Sequence, residues 1–185
     1  MPPRWLPIAL LGLLWAADAP TWNGRAARLA PSRQDAGSLR VNNALGMLGF
    51  AAGLAASLLL PPVLPAWAGW TGAALAICGA ALRCWAIVTL GSLFTLTVQV
   101  RPGQPIVERG PYRWIRHPSY AGADLALLGI GLSSGNWVAP ILFVVPWLAA
   151  HVYRVKIEER ALLATLGEPY ARYRDRTWAM VPPIW

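Results

Sequence analysis

The fold class this sequence predicts is all-α: a polytopic membrane bundle of about five transmembrane helices, with a cytoplasmic loop and a C-terminal helix. Three observations carry it. Apolar residues make up 56% of the 185 and charged residues only 13%, whereas a soluble surface needs about a quarter of its residues charged. Eleven tryptophans are present, far more than a soluble domain of this size carries. The Lys and Arg residues lie in short connections beside apolar segments rather than along a helix face. The net charge is +8, yet no aromatic–basic RNA motif accompanies it. Juxtamembrane arginine beside anionic membrane lipid accounts for the charge, and nucleic acid is excluded as a partner.

The first span is Trp5 to Ala19. Its end, Ala16-Ala17-Asp18-Ala19, resembles a signal-peptide cleavage site. Pro20 directly after the cut and the arginines beyond it favour an uncleaved helix. Residues 21–40 form a polar connection with Arg25, Arg28, Arg33 and Arg40, opposed only by Asp35. Val41 to Leu60 gives twenty largely apolar residues, about 30 Å of helix. Glycines 46, 49 and 53 and alanines 52 and 56 there let a neighbouring helix approach closely. Pro61-Pro62 ends it.

Gly69 to about Leu90 is the third span, flanked by Trp67 and Trp70 at an expected interface. It carries Arg83, either snorkelling to the surface or paired with Asp124 or a bound anion. Cys78 and Cys84 are six residues apart, about 240° around a helix, so a disulfide between them is not expected. With no histidine near them they make no metal site. Two shorter spans follow, Tyr120 to Leu132 and Trp137 to Val152, joined by the turn Ser133-Ser134-Gly135-Asn136. Pro140 is tolerated in a first turn, whereas Pro146 is expected to kink its helix. A soluble tail with helical pattern from Lys156 to Leu166 closes the chain, broken by Gly167 and Pro169.

Orientation follows from the basic residues. Loops 21–40 and 91–119 carry four each and the stretch from Arg154 six, while the connections at 61–66 and 133–136 carry none. Five spans with the N-terminus outside place all three basic regions in the cytoplasm.

Chemistry concentrates in two stretches on either side of the last hairpin. Residues 99–122 hold Pro102, Pro105, Pro111 and Pro118, which fix φ and restrict their predecessors, and Gly103 and Gly110 for sharp turns. This stiff loop presents Gln99, Gln104, Tyr112, Arg116, His117 and Tyr120. In the second stretch Arg154 and Glu158 share a helix face at i, i+4, with Glu159 turned about 100° away. Such a pair is ordinarily a solvated one worth little. At a membrane exit it is also a plausible ligand site.

Arg116-His117-Pro118-Ser119-Tyr120-Ala121-Gly122, an apolar hairpin, Glu158-Glu159, Leu166-Gly167-x-x-Tyr170-x-x-Tyr173 and Pro182 together resemble the isoprenylcysteine carboxyl methyltransferase family. That family shares its C-terminal membrane core with the phospholipid N-methyltransferases. The likeness extends upstream through Leu90-Gly91-x-x-Phe94-Thr95 and covers roughly residues 80 to 183. It implies one membrane methyltransferase domain over 1–185, with N-terminal spans in 1–68 and a cofactor-binding core in 69–185. It implies S-adenosylmethionine as cofactor, bound from the cytoplasm by Gln99, Gln104, Pro105, Ile106, Val107, Tyr112, His117, Pro118, Ser119, Tyr120 and Glu158. Arg154 would meet the substrate and serve catalysis. Gln104 stands where some relatives carry histidine, and the acidic run is only Glu158-Glu159.

Glu158 then suits the cofactor's ammonium, and the loop amides and His117 its polar remainder. A lipophilic carboxylate acceptor is already ionised and needs neither base nor metal. Phospholipid amine and lipid phenol acceptors are the rivals. Each must shed a proton, for which His151 is a candidate base beside its plainer reading as an interfacial histidine. Outside this class stand a sterol-reductase-like nicotinamide enzyme, for which the chain is short, and a non-catalytic membrane scaffold. The sequence sets no oligomeric state.

Overall fold

The structure is a computed structural model, and it describes residues 2–18 and 32–183. The expectations at Ala19-Pro20 and at Arg25 and Arg28 lie outside those residues. Among the described residues six helices follow in order: α1 Leu6–Ala17, α2 Ser38–Leu59, α3 Ala66–Leu90, α4 Pro118–Ser133, α5 Val138–Leu166 and α6 Glu168–Asp175. Single 3₁₀ turns stand at Arg33–Asp35, Gly91–Leu93 and Gly110–Arg113, and no strand occurs among the described residues. Among the described residues three helices have the length and apolarity to cross a membrane: Ser38–Leu59, Ala66–Leu93 with its 3₁₀ turn, and Val138–Leu166. α1 is apolar but only twelve residues long. Large apolar side chains face outward along the bundle, with Met47 74% and Val88 61% exposed. In water such a belt would be an aggregation surface; in lipid it is the ordinary exterior of an integral membrane protein.

Two interfaces hold the bundle, and in lipid both rest on close packing rather than on expulsion of water. At the first, α3 and α4 bring their backbones together through small residues at three- and four-residue spacing. A Cβ on Gly79 would stand 2.4 Å from the Ala126 nitrogen, and one on Gly129 would stand 2.3 Å from that of Ala76. At the second, the glycines of α2 accept large side chains of α5: Trp147 lies over Gly46, Pro146 over Gly49 and Phe143 over Gly53. Phe143 and Ile130 are fully buried at the centre, with Leu10 of α1 packed against them.

The ends are tied by polar groups. At one end Asn136 accepts from the amides of Val138 (3.1 Å) and Ala139 (2.8 Å), which caps α5, and donates to the Ala56 carbonyl. The Gly135 carbonyl accepts from the amides of Val63 and Leu64. The other end carries the proline loop.

One boundary differs from the expectation. A span ending at Val152 and a separate tail helix from Lys156 are in fact one 29-residue helix, α5. Nothing between them breaks a helix, and Pro146 is accommodated inside it. At about 43 Å it exceeds a hydrocarbon core of about 30 Å, so its C-terminal turns project from the bilayer. Gly167, at φ +62°, ends it in a conformation that costs other residues strain. Pro169 then opens α6.

Candidate active site

A cavity lies at the loop end of the bundle. Its walls are the 3₁₀ turn after α3, the loop 94–107, the start of α4, the projecting end of α5 and the tyrosines of α6. Every residue expected at the site lines it except Pro118: Gln99, Gln104, Pro105, Ile106, Val107, Tyr112, His117, Ser119, Tyr120, Arg154 and Glu158. Pro118 is instead buried at the first position of α4, where its missing N–H costs nothing. Gly103 and Gly110 both take positive φ, as sharp turns demand.

Tyr120 organises the α4–α5 wall. Arg154 Nε donates to its hydroxyl at 2.8 Å, and the hydroxyl donates to Glu158 Oε2 at 3.0 Å. Arg154 and Glu158, which share one helix face, are therefore bridged by a phenol from another helix. Tyr120 is stacked between His117, with centroids 5.8 Å apart, and His151, 4.7 Å away. His151 Nδ1 lies 2.9 Å from Asp124 Oδ1, and its ring rests against Trp147. His151 is buried and does not line the cavity. Its surroundings suit a support for Tyr120 rather than a base facing a ligand.

Arg154 is 4% exposed, not the half-solvated side chain that its spacing suggests. Nη1 donates to Ser38 Oγ at 3.2 Å and Asp35 Oδ1 at 3.4 Å, and Nη2 donates to the Leu96 carbonyl. A guanidinium has five N–H bonds. With Tyr120, partners among the described residues take four and leave one on Nη2.

Glu159 faces away from the cavity. Arg116 Nε donates to its Oε1 at 2.7 Å, and His117 Nε2 lies 3.4 Å from the same oxygen. Arg116 Nη1 also donates to the carbonyls of Arg174 (3.0 Å) and Thr177. Nearby, Arg116 N donates to Trp178 O, Trp178 N to Trp114 O and His117 N to Ala179 O. The C-terminal tail is thus laced along residues 114–117. Tyr173 donates to the Tyr112 carbonyl at 2.8 Å. Burial pushes the phenols of Tyr112, Tyr170 and Tyr173 up, so all three are neutral hydroxyls at pH 7.

Three features were not anticipated. Tyr170 lines the cavity with a buried hydroxyl that has no hydrogen-bond partner among the described residues. Asp35, read only as an acidic residue in a basic loop, is 2% exposed and bound to the site. Burial alone would raise its pKa. Amides of Val98 and Leu39, the Ser38 hydroxyl and Arg154 outweigh that and hold it below the usual carboxylate range. Arg83 does not meet Asp124, the partner considered for it. It holds Asp18 at the end of α1, at 2.5 and 3.1 Å, and donates to the Ser119 carbonyl at 3.1 Å. Asp124 lies five residues deeper than Ser119, about 7.5 Å along α4, at the level of His151.

The cavity therefore combines an apolar shelf of Leu93, Phe94, Val98, Ile106, Leu162 and Leu166 with a half-exposed carboxylate, one cationic N–H, two glutamines and an unpartnered phenol. That set suits an amphiphilic ligand bearing a cation, beside an acceptor bearing a negative group.

Known proteins resemble this chain. The family model of the isoprenylcysteine carboxyl methyltransferase (ICMT) family matches residues 72–164, half of the chain. The uncharacterized protein YpbQ of Bacillus subtilis is 30% identical over 152 residues, which cover 75% of this chain and 89% of that protein. A protein-S-isoprenylcysteine O-methyltransferase of Schizosaccharomyces pombe is 32% identical over 108 residues, 57% of this chain and 46% of that enzyme. The Homo sapiens enzyme of that name is 30% identical over 120 residues, 64% and 42%. These alignments span less than half of either enzyme. A solved structure of a eukaryotic intramembrane Ras methyltransferase ICMT shares the fold, with TM-score 0.60 at 23% identity, covering 96% of this chain and 63% of that one. On the family model and the bacterial relative together, this chain belongs to the isoprenylcysteine carboxyl methyltransferase family.

Proposed function

We propose that this chain is an S-adenosylmethionine-dependent methyltransferase of the membrane, acting on the carboxylate of an isoprenylcysteine-like lipid. The observation that carries the reading is the Tyr120 hydroxyl set between Arg154 and Glu158 in one cavity beside an apolar shelf. Relatives named protein-S-isoprenylcysteine O-methyltransferase support it. When bound, S-adenosylmethionine supplies a methyl group on a sulfonium, which leaves as a neutral thioether. The residues fit such a group. Glu158 offers a carboxylate to its ammonium, the orphaned Tyr170 hydroxyl awaits a polar partner, and the 98–107 wall offers apolar contact. Gln99, Gln104, Pro105, Ile106, Val107, Tyr112, His117, Pro118, Ser119 and Tyr120 form or support that pocket.

Methyl transfer needs the acceptor close behind the methyl and in line with it. Arg154 is built for that positioning, because its partners hold the guanidinium still and its remaining N–H can meet a carboxylate oxygen. A carboxylate needs no base. The turning of His151 away from the cavity favours this acceptor over an amine or a phenol.

The proposal extends to topology: one domain over 1–185, five crossings including the short α1 and α4, the N-terminus outside, and the cavity in the cytoplasm. Arg4 lies at the end of the bundle remote from the cavity, and the described basic loops lie at the cavity end, as that orientation requires.

Calorimetry of the purified protein with S-adenosylhomocysteine tests the cofactor, and a folded protein that does not bind it sinks the reading. Radiolabelled methyl transfer to a prenylcysteine analogue, phosphatidylethanolamine and an alkylphenol tests the acceptor. Transfer to the prenylcysteine carboxylate alone is expected.

A further inference from the structure

A short clasp ahead of α2 grips the cavity wall from behind. The Ser32 hydroxyl donates to the Val98 carbonyl. Gln34 holds both backbone groups of Val100: its Oε1 accepts from the amide at 2.8 Å and its Nε2 donates to the carbonyl at 3.3 Å. Asp35 Oδ1 accepts from the Val98 amide at 3.0 Å. Side chains here do for residues 98–100 what a neighbouring strand would do, in a loop that has none. Those same residues line the cavity. Asp35 reaches further, since its Oδ1 and the Ser38 hydroxyl are the partners of Arg154 Nη1. The clasp lies upstream of residues 72–164, so the matched family core does not contain it.

Resting on the function proposed above, we infer that residues 32–38 are a positioning element of the methyl-transfer site with two separable tasks. Asp35 and Ser38 decide which Arg154 N–H faces the acceptor. Without the Asp35 charge the guanidinium is drawn toward Tyr120 and Glu158, and its acceptor-facing bond shifts. Gln34 splints the wall beside Gln99 against which the cofactor rests. None of these side chains lines the cavity, so each acts through another group.

The two tasks predict a split. In Asp35→Asn, turnover with saturating cofactor falls by about tenfold or more, the scale of a misplaced reacting group, while affinity for S-adenosylhomocysteine stays within about twofold. In Gln34→Ala that affinity weakens roughly three- to tenfold, about the loss of one or two hydrogen bonds, while turnover at saturating cofactor is retained. A merely structural clasp would move both constants together, in step with the melting temperature, and that result overturns the inference. So do wild-type constants in both variants. Should Asp35→Asn fail to fold, Ser38→Ala carries the same expectation, and unchanged turnover in it counts against the idea. Amide hydrogen exchange in detergent gives a readout independent of activity. Gln34→Ala must speed exchange at Val100, and unchanged exchange overturns the clasp. Wild-type protein that binds no S-adenosylhomocysteine, with exchange responding as expected, instead overturns the proposed function.

Discussion

Glu158 and Glu159 are neighbours on one helix, chemically identical, and they meet opposite surroundings. Glu159 is 18% exposed and held by Arg116 and His117, in a lattice that also ties the C-terminal tail to residues 114–117. Glu158 is 31% exposed, with one hydroxyl donating to it at 3.0 Å and an open cavity in front of it. The difference is a turn of about 100°, which sends one carboxylate into a structural clamp and the other toward a ligand. An enclosed ion pair whose cation also holds backbone carbonyls serves stability. A carboxylate with lone pairs to spare, beside an apolar shelf, serves binding.

Breaking the clamp gives the largest expected effect. Arg116→Ala leaves Glu159 with only the more distant His117 and takes a donor from the carbonyls of Arg174 and Thr177, and losing one partner of an enclosed pair costs about 3–5 kcal/mol. Unfolding in detergent should show that loss, and unchanged stability would dissolve the contrast. Glu158→Gln keeps the shape and removes the charge on the other side. Cofactor affinity should weaken by about 1.5–3 kcal/mol, the range for a hydrogen bond to a charged group, with the melting temperature nearly unmoved. A melting drop as large as that of Arg116→Ala, with affinity intact, would reverse the two assignments.

Arg154→Lys keeps the charge but loses the planar fork that reaches Tyr120, Ser38 and Leu96 at once. Turnover should fall about tenfold, near 1.4 kcal/mol, with cofactor affinity kept. Equal losses in both would make Arg154 part of the cofactor pocket. Because Tyr120 bridges Arg154 and Glu158, their energies will not add, and a double mutant is needed to apportion them.

The smallest effect is one of pH. Asp35 has its pKa lowered in the folded state, so its stabilising contribution is fully present above the unfolded value of about 3.9. It is lost as pH falls through the folded value. The stability gap between wild type and Asp35→Asn should therefore be constant from neutrality to mild acid and narrow only below about pH 4. A gap that narrows nearer pH 6 would point to another group.

Much of this site was legible because its chemistry is local in sequence. Prolines and glycines declare the stiff loop around Gln104 and Tyr112, and the spacing of Arg154, Glu158 and Glu159 sets their faces. The motif around His117 carries the family likeness. The clasp was not legible. Asp35 and Arg154 stand 119 residues apart, and no spacing rule joins them. The Tyr120 bridge was hidden likewise, since it depends on how far α4 stands from α5.

By itself the sequence determined the class of solvent, the positions of the apolar helices and the two polar stretches. These follow from hydrophobicity, helix periodicity and backbone restriction, which act within a few residues. Only the tertiary structure decided that Arg83 takes Asp18 rather than Asp124, that Arg154 is buried with one N–H left over by its partners among the described residues, and that the first loop backs the cavity wall. Such choices depend on helix depth and close approach. Side chains of three or four helices compete for the same partners, and the distances that settle that competition exist only once the bundle has packed.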